Sequence, residues 1–392
     1  MAFRIAHCAD WHLGYRSGKK TDENGVNLRL LDGFRALEKV VDGIIAEKVD
    51  CVLVAGDVFH SPFPQPIEIV FAQEQLRRFA EASIPVYQLA GNHEATDVAA
   101  DVASSKILDD PWRKIYSHVE PYAVHEIADG LILHLVSRHQ FKRQKGTLDA
   151  IRPVDGAVNL FSSHGSVLDP ETNLMLSTPQ SPREIVIPEQ LLHQWDYLLL
   201  GHIHERKKVS DKIFYNGSLL RRGFSDKECE LKRGWTLVSV ETDGTVTLEP
   251  QVVEERPQFD LPSVDASGLT ADDVSDKIIA ALKSTQTDGV SFDPLKAPLV
   301  RQKIVNAPAS LLAGLKNDEF IRQSAHTFSW QLQVTPTVEG RTHAGDGDGS
   351  TVKSELTLKE AYMEWSDALE PVKAEASSFL DKGVEKWAAS EH

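Results

Sequence analysis

Cysteine, methionine and long apolar runs are all scarce in this chain. Three cysteines stand among its 392 residues, Cys8, Cys51 and Cys229. Because their number is odd and two fall in predicted core strands, they indicate reduced packing residues of a cytoplasmic protein rather than a disulfide framework. No apolar run approaches the ~18 residues of a membrane-spanning helix, so we expect no membrane contact. The N-terminus enters a predicted strand directly, so we also expect no signal peptide.

What the chain does contain is a series of short, nearly continuous apolar runs. They cover residues 3–6, 51–55, 86–90, 158–161 and 197–200. Such runs, separated by helical patterns, predict parallel strands that are covered on both faces. In open α/β sheets, ligands bind outside the carboxyl ends of the strands. We therefore expect the polar residues that follow the runs to converge at the carboxyl edge of one sheet.

Each run ends in residue types that bind metals. The motifs are Asp10-Trp11-His12, Gly56-Asp57, Gly91-Asn92-His93-Glu94, Ser163-His164-Gly165 and Gly201-His202-Ile203-His204. Carboxylate, imidazole and amide donors suit manganese, iron or zinc, and the absence of cysteine from these motifs argues against a thiolate site. Seven donors exceed the needs of one catalytic ion, whereas two ions about 3.5–4 Å apart use them all. Asp57 is the expected bridge, since it stands alone at its strand end and a carboxylate has two oxygens.

The order D-x-H, G-D, G-N-H-[DE], a lone H and G-H-x-H resembles the calcineurin-like metallophosphoesterase superfamily over residues 3–240. The resemblance implies an α/β fold, a β-sandwich flanked by helices in an α/β/β/α arrangement of four layers. It implies one ion held by Asp10, His12, Asp57 and His204, and a second held by Asp57, Asn92, His164 and His202. His93 would face the leaving oxygen or the scissile phosphate instead, with Asp97 or Glu94 orienting it.

A narrower resemblance comes from His60 and from the segment Tyr215-Asn216-Gly217-Ser218-Leu219, followed by Arg221 and Phe224. These residues are similar to SbcD and Mre-type nuclease subunits. The resemblance implies a two-manganese DNA exonuclease and single-strand endonuclease that acts with an SMC-like ATPase of the SbcC/Rad type in DNA end processing and repair. His60 would position the phosphate, or would be a turn residue. Glu94, Leu220 and Arg222 depart from the pattern of some relatives.

Positive charge is in short supply for a protein that binds DNA. The net charge is −16, from 42 basic and 58 acidic residues. This balance predicts that the chain alone binds DNA weakly and that a partner contributes much of the affinity for DNA. The basic residues that we predict to contact DNA lie in three segments: Arg138, Lys142, Arg143, Arg206, Lys207 and Arg221. The alternative for these clusters is that they are solvated loops.

Composition shifts divide the chain into four parts. Residues 1–256 form the predicted catalytic domain, which includes a helix with apolar spacing from Leu30 to Ile45 and antiparallel strands within 236–253. Residues 257–336 read as a small α+β module with helices at 271–282 and 311–321 and strands at 300–305 and 328–334, to which the resemblance gives a capping role. Glycine content predicts a flexible linker at 337–350.

The last part, residues 351–392, carries apolar stripes at helical spacing. The residues that we predict to bind a partner are Tyr362, Trp365, Leu369, Phe379 and Trp387. Aromatic residues on tethered helices need a cover. The resemblance favours the SMC-like ATPase as the partner that buries these aromatic residues. The alternative is that they pack against the rest of this chain. Relatives pair through helices of the catalytic domain, so pairing of two copies through residues 66–81 or 99–109 remains open, and internal packing of either segment is the equal alternative.

Two other functions remain open from the sequence. One is a metallophosphoesterase that hydrolyses cyclic nucleotides or phosphomonoesters, which we expect to lack the extra module and the tethered helices. The other is a non-catalytic DNA-end scaffold for the ATPase. The complete ligand set argues against the scaffold.

Overall fold

The structure is a computed structural model that describes residues 2–94, 102–119, 122–137, 151–168, 186–224, 232–286, 293 and 296–336. The chain divides into two compact units, residues 1–338 and 339–392, and the described residues all belong to the first. The predicted linker at 337–350 and the predicted helices at 351–392 lie outside the described residues. Within the described part, no helix has the length and apolar character required to cross a bilayer.

Three sheets organise the described residues. The strands are β1 (Phe3–Cys8), β2 (Cys51–Ala55), β3 (Val86–Leu89), β4 (Ile115–His118), β5 (Tyr122–Ala128), β6 (Leu131–Val136), β7 (Val158–His164), β8 (Tyr197–Gly201), β9 (Lys207–Lys208), β10 (Ile213–Tyr215), β11 (Gly234–Val240), β12 (Val246–Val252), β13 (Gln258–Asp260), β14 (Val264–Asp265), β15 (Leu299–Ala307) and β16 (Ser329–Pro336). The helices are α1 (Leu28–Glu47), α2 (Pro66–Glu81), α3 (Ala271–Lys283), α4 (Ala309–Leu312) and α5 (Asn317–Gln323).

The first sheet has the order β12-β11-β1-β2-β3-β4. Strands β1 to β4 run parallel, and β11 and β12 are antiparallel, as the alternation in 236–253 predicted. Helix α1 begins where the Asn27 side chain accepts from the N–H groups of Arg29 and Leu30, which satisfies donors that have no partner within the helix. The α1 side chains Phe34 and Leu37 pack into the same core cluster as the outer face of this sheet. The predicted helix is thereby confirmed.

The second sheet has the order β5-β6-β7-β8-β10-β9 and packs against the first. Leucines of both sheets, such as Leu53 and Leu199, fill the layer between them. In the described residues the helical cover on the outer face of the second sheet is the 3₁₀ turn Glu189–Leu191. The expected α/β sandwich is therefore confirmed, whereas within the described residues the helical layer predicted on the second sheet is limited to this 3₁₀ turn.

The prediction that all five motifs lie at the edge of one sheet is wrong. Strands β1, β2 and β3 carry the first three motifs in the first sheet, whereas β7 and β8 carry the last two in the second. A strand buried on both faces has the same apolar pattern in either sheet of a sandwich, so the pattern does not distinguish the two. The sandwich brings both carboxyl edges together, and the motifs still meet.

Residues 258–336 form a third sheet, β13-β15-β14 with β16 paired to β15, and have an apolar core of their own. Helix α3 matches its predicted position, and so do strands β15 and β16. The single helix predicted at 311–321 is wrong, since two short helices, α4 and α5, replace it. A Cβ at Gly314 would lie 2.8 Å from the Cβ of Ala271, so the chain passes α3 too closely there for most side chains. The capping role of this module stays a prediction.

A buried ion cluster centred on Asp32 joins α1 to this module. Arg256 donates from Nε and Nη2 to the two Asp32 oxygens at 2.7 and 2.8 Å, and Arg29 donates to Oδ2 at 2.8 Å. Arg256 also donates to the Ala297 carbonyl at 2.6 Å and lies 4.1 Å from the ring centroid of Phe328. One carboxylate thus connects the first helix of the chain with the loops that precede β15 and β16.

Candidate metal centre

Several predicted ligands adopt left-handed backbone conformations at the ends of their strands. The φ angles of Asp10, His12, Asp57 and His202 are 52°, 46°, 53° and 98°. Positive φ is uncommon for residues other than glycine, and it clusters at functional sites where surrounding contacts enforce it. Here the N–H of Asp10 donates to the Gly56 carbonyl at 3.0 Å and that of His12 to the Asp57 carbonyl at 2.9 Å. The first two motif loops therefore hold each other in place.

The glycines of the motifs are required by close approach. A Cβ at Gly91 would lie 2.1 Å from Oδ1 of Asp57, and a Cβ at Gly201 would lie 1.9 Å from the Ala55 carbonyl oxygen. Both distances are far inside van der Waals contact, so neither position accepts a larger residue without movement of the backbone. Gly201 also lets β8 of the second sheet approach β2 of the first.

The first predicted ion site brings its donors together around Asp10. Oδ1 of Asp10 lies 3.7 Å from Nε2 of His12 and 3.7 Å from Nε2 of His204. The two imidazole nitrogens are 3.1 Å apart, and Oδ2 of Asp57 lies 3.6 Å from Nε2 of His12. Donors about 2.1 Å from a shared ion lie about 3.0–3.4 Å from one another. The donors are therefore spaced to hold one divalent ion after small side-chain adjustments.

The second predicted site is built around Asn92. Its Oδ1 lies 3.0 Å from Nε2 of His164 and 3.1 Å from Nδ1 of His202. Oδ2 of Asp57 is 3.3 Å from Nε2 of His164. Nδ1 of His164 donates to the Ala55 carbonyl at 2.8 Å, and a metal-binding histidine usually donates its other N–H to such an acceptor. This set also fits one divalent ion.

Asp57 lies between the two sets, but it does so with a single oxygen. Oδ2 faces His12 on one side and His164 on the other. Oδ1 accepts from the N–H of His93 at 2.9 Å. The sequence-based argument for a bridging carboxylate relied on its having two oxygens, whereas the structure orients one toward both donor sets and holds the other in place.

The charge states of the site suit divalent cations. Burial, and then the nearby Arg222 guanidinium, holds the pKa values of His12 and His204 well below the usual value, so both imidazoles keep their lone pairs. Burial opposes ionisation of Asp57, but the neighbouring histidine charges, His164 first, outweigh it and hold the pKa well below its usual value. Burial likewise opposes the imidazolium of His164, but Asp57 outweighs it and raises that pKa to about 9. Asp57 therefore stays ionised, and a metal ion would displace the His164 proton.

His93 stands beside the ligands without joining either set. Its Nδ1 lies 2.9 Å from the His60 carbonyl oxygen, and because a carbonyl only accepts, Nδ1 carries a hydrogen and Nε2 is left for chemistry. Its ring stacks on that of His60 with 5.0 Å between centroids. The expectation that Glu94 orients His93 is wrong. The Glu94 carboxyl group accepts from the N–H groups of Gly91 and Phe59 at 2.9 and 3.1 Å, and Asp97 lies outside the described residues.

The predicted DNA contacts have varied surroundings. The Arg206 guanidinium donates to the carbonyls of Asn216, Trp235 and Gln251 at 3.1–3.3 Å, so it connects the segment after β10 to strands β11 and β12. Arg221 forms an ion pair with Glu255 at 3.2 Å, and Lys207 lies in the short strand β9. Outside the described residues lie Arg138, Lys142, Arg143, Tyr362, Trp365, Leu369, Phe379 and Trp387.

The sequence argument missed Arg222 as a site residue. Its Nη2 lies 2.6 Å from Nε2 of His204, and its Nη1 lies 3.3 Å from Nδ1 of His60. In the sequence it stands out only as a departure from a family pattern. No local signal tells which of two adjacent arginines faces a site, because that depends on how the loop after β10 is anchored.

Comparisons with known proteins agree with this geometry. A family model described as calcineurin-like phosphoesterase matches residues 3–206, just over half of the 392 residues. Among solved structures, the chain is similar to a dimetal phosphatase from Danio rerio, at 12% identity and a TM-score of 0.36, over 61% of this chain and 93% of that one. At these values the structural likeness adds nothing to the family match, which by itself confirms the broader of the two resemblances.

Proposed function

The chain belongs to the calcineurin-like phosphoesterase family, and on this premise we propose that it is a two-manganese DNA nuclease that hydrolyses phosphodiesters as an exonuclease and a single-strand endonuclease. The observation that carries the hydrolytic part of the proposal is the arrangement around Asp57. One carboxylate oxygen faces two sets of donors, and the other fixes His93 beside them. Metal-dependent phosphoester hydrolysis follows from the family, and the choice of DNA as substrate is the proposal.

The residues divide the chemistry between them. Two divalent ions, held by Asp10, His12, Asp57, Asn92, His164, His202 and His204, would supply an activated water and would withdraw charge from the phosphoryl oxygens. Nδ1–H of His93 is held by the His60 carbonyl, so the form that can act as general acid is the imidazolium, which gives its second proton, on Nε2, to the leaving oxygen and becomes neutral. Burial, and then the charge of Arg222, lowers the pKa of His60 to about 4. The His60 ring is therefore neutral at neutral pH, and it positions the phosphate through a hydrogen bond rather than through charge.

The support for DNA lies in the segment that follows the last ligand motif. In the narrower resemblance this segment, Tyr215 to Leu219, belongs to nuclease subunits. In this chain it is tied to the ligands, since the N–H of Ser218 donates to the His204 carbonyl and that of Leu219 to the Asp10 carbonyl, each at 3.1 Å. The segment therefore places the residues after it against the metal centre, where they can contact a substrate strand.

Substrate competition separates this function from hydrolysis of phosphomonoesters or cyclic nucleotides. The full chain, stripped with chelator and reloaded with manganese, is assayed on single-stranded DNA, on a 2′,3′-cyclic nucleotide and on p-nitrophenyl phosphate. We expect the highest kcat/KM on DNA and none on any substrate for Asp57→Ala. A higher kcat/KM on the monoester or the cyclic nucleotide would replace the proposal with that activity.

We also propose that residues 351–392 bind an SMC-like ATPase in the cytoplasm. The net charge of −16 supports a partner that contributes DNA affinity. Deleting residues 351–392 should abolish co-purification with the ATPase and ATP-dependent processing of duplex ends. Manganese-dependent cleavage of short single strands should persist, since no assigned ligand lies beyond His204. Co-purification of the truncated chain would move the docking surface elsewhere.

A further inference from the structure

We propose that Phe63 is a specificity-determining residue that stacks on a nucleobase close to the scissile phosphate of a single-stranded substrate. The inference rests on the proposed nuclease function, and it adds a contact that the metal-centred argument does not supply. Phe63 stands three residues after His60 and is 77% exposed. Within the described residues, Phe63 and Trp112 are the aromatic residues that are more than half exposed.

The loop that carries Phe63 lies at the edge of the first sheet where the donor sets lie. Residues 61–65 connect the second motif to α2, and loops that follow parallel strands lie at the carboxyl edge, where ligands bind. The loop begins at His60, whose carbonyl accepts from Nδ1 of His93 at 2.9 Å. Cα atoms three residues apart are separated by at most about 11 Å, and bases stack about 3.4 Å apart along a strand. The Phe63 ring is therefore within reach of a base no more than about three nucleotides from the scissile phosphate.

Local contacts fix the backbone on which the ring is presented. The residues on either side of Phe63 are prolines, which restrict the backbone, and the N–H of Phe63 donates to Oγ of Ser61 at 3.1 Å. Arg16 holds the end of the loop, because its Nη2 donates to Oε1 of Gln65 at 3.0 Å and pairs with Oε1 of Glu68 at 2.7 Å. A ring on a fixed backbone loses less freedom when it binds a ligand, and this preorganisation favours binding.

The chemistry of a phenyl ring restricts what Phe63 can bind. The ring carries neither a charge nor a hydrogen-bonding group, so recognition of the phosphate falls to the metal centre and the ring is left for a base. Every nucleobase has a π-face, and stacking on an aromatic side chain therefore tolerates any sequence. Stacking does not depend on the attraction between phosphate and positive charge, which a chain with a net charge of −16 provides only weakly. A nucleic-acid strand therefore gains affinity from Phe63, whereas a phosphate ester without a base does not.

Binding of a labelled single-stranded oligonucleotide to the manganese-loaded full chain tests the proposal. The measurement is fluorescence anisotropy, made in the His93→Asn background so that slow cleavage leaves the strand intact. Phe63→Ala should weaken binding about 5- to 150-fold, the range for loss of one base–aromatic stack. Phe63→Trp should keep the affinity. Phe63→Leu should lose most of it, because leucine is apolar but has no aromatic face.

Oligonucleotides with a single abasic position locate the contact. At one position, the missing base should weaken binding to the chain that retains Phe63 by a factor similar to that of Phe63→Ala. The two changes together should weaken binding no further, because both remove the same contact. Trp112→Ala is the matched control, since Trp112 is 98% exposed and precedes β4, at the edge of the sheet opposite the metal centre. It should leave the affinity unaltered.

Unchanged affinity in Phe63→Ala, an equal loss in Trp112→Ala, or a loss in Phe63→Ala that persists with every abasic oligonucleotide would overturn the assignment. A change of oligomeric state in Phe63→Ala, measured by light scattering and without any dependence of binding on a base, would instead assign Phe63 to a contact between copies. If binding depends on Phe63 and on one base while the manganese-loaded wild-type chain fails to cleave the strand, the inference stands and the choice of DNA as the hydrolysed substrate fails.

Discussion

The main-chain N–H of His93 donates to Oδ1 of Asp57 at 2.9 Å. The proposed proton donor and the shared carboxylate are therefore connected through the backbone, and the His93 side chain takes no part in the connection. The side chain can then be replaced while the carboxylate stays oriented. This separation makes it possible to test binding and chemistry independently.

Replacing His93 with asparagine should lower the cleavage rate by about 10²–10⁴-fold, the range for loss of general acid catalysis. Both manganese ions should remain bound, since the N–H that orients Asp57 is retained. Asp57→Ala should lose metal as well as activity, because both donor sets share its Oδ2. Elemental analysis of the purified variants measures the metal content. Equal metal loss in the two variants would contradict the roles of His93 as proton donor and Asp57 as bridge.

Chelation should abolish cleavage, and manganese should restore it better than magnesium. Each donor set contains two imidazole nitrogens, and magnesium prefers oxygen ligands and gives up its water reluctantly. The measurement is the cleavage rate of the chelator-treated chain after manganese or magnesium is added back. Full restoration by magnesium, with traces of manganese removed, would argue against imidazole coordination.

Metal affinity should rise with pH. The pKa of His164 is raised from 6.5 to about 9, so its imidazole is protonated at neutral pH in the metal-free protein. Metal binding requires the neutral ring and displaces that proton. Affinity should therefore increase about tenfold for each pH unit between about pH 6 and pH 8. Calorimetry in buffers of different ionisation enthalpy should count about one proton released, and a pH-independent affinity would exclude this linkage.

Removal of the carboxylate at the centre of the Asp32 cluster should destabilise the fold. Asp32→Ala leaves Arg29 and Arg256 buried without their counter-charge, and breaking such a cluster costs about 3–5 kcal/mol in the free energy of unfolding. Asp211→Ala, which removes a surface pair with Lys208, should cause no measurable change. Urea denaturation of the two variants gives the comparison. A small effect at Asp32 would mean that water or another group compensates the two arginines.

The ligands were predictable because each motif lies at the end of its own strand. Asp10 and Asp57 each come two residues after a strand, β1 and β2, and His164 is the last residue of β7. The order of the motifs supplies the rest. The positive φ angles of Asp10 and Asp57 are not evident from the sequence. The glycines packed beside these loops, Gly56 and Gly91, are evident from it.

Features that depend on tertiary anchoring were not predictable in this way. The division of the motifs between two sheets, the role of Glu94 as a backbone acceptor, and the approach of Arg222 each depend on contacts between segments far apart in the chain. The break between α4 and α5 has the same origin, since Gly314 is constrained by Ala271 on another helix. Local periodicity reports which face of an element is buried, but it does not report what buries it.

Neither sheet of the sandwich carries a complete ion site. His204 follows β8 in the second sheet while Asp10 and His12 follow β1 in the first, and Asn92 follows β3 in the first sheet while His164 ends β7 in the second. The amount of bound metal therefore depends on how accurately the two sheets of the sandwich are aligned. Substitutions in the leucine layer between the sheets, at positions such as Leu53 or Leu199, can shift one sheet relative to the other. Such a shift abolishes activity without altering any group that contacts metal or substrate.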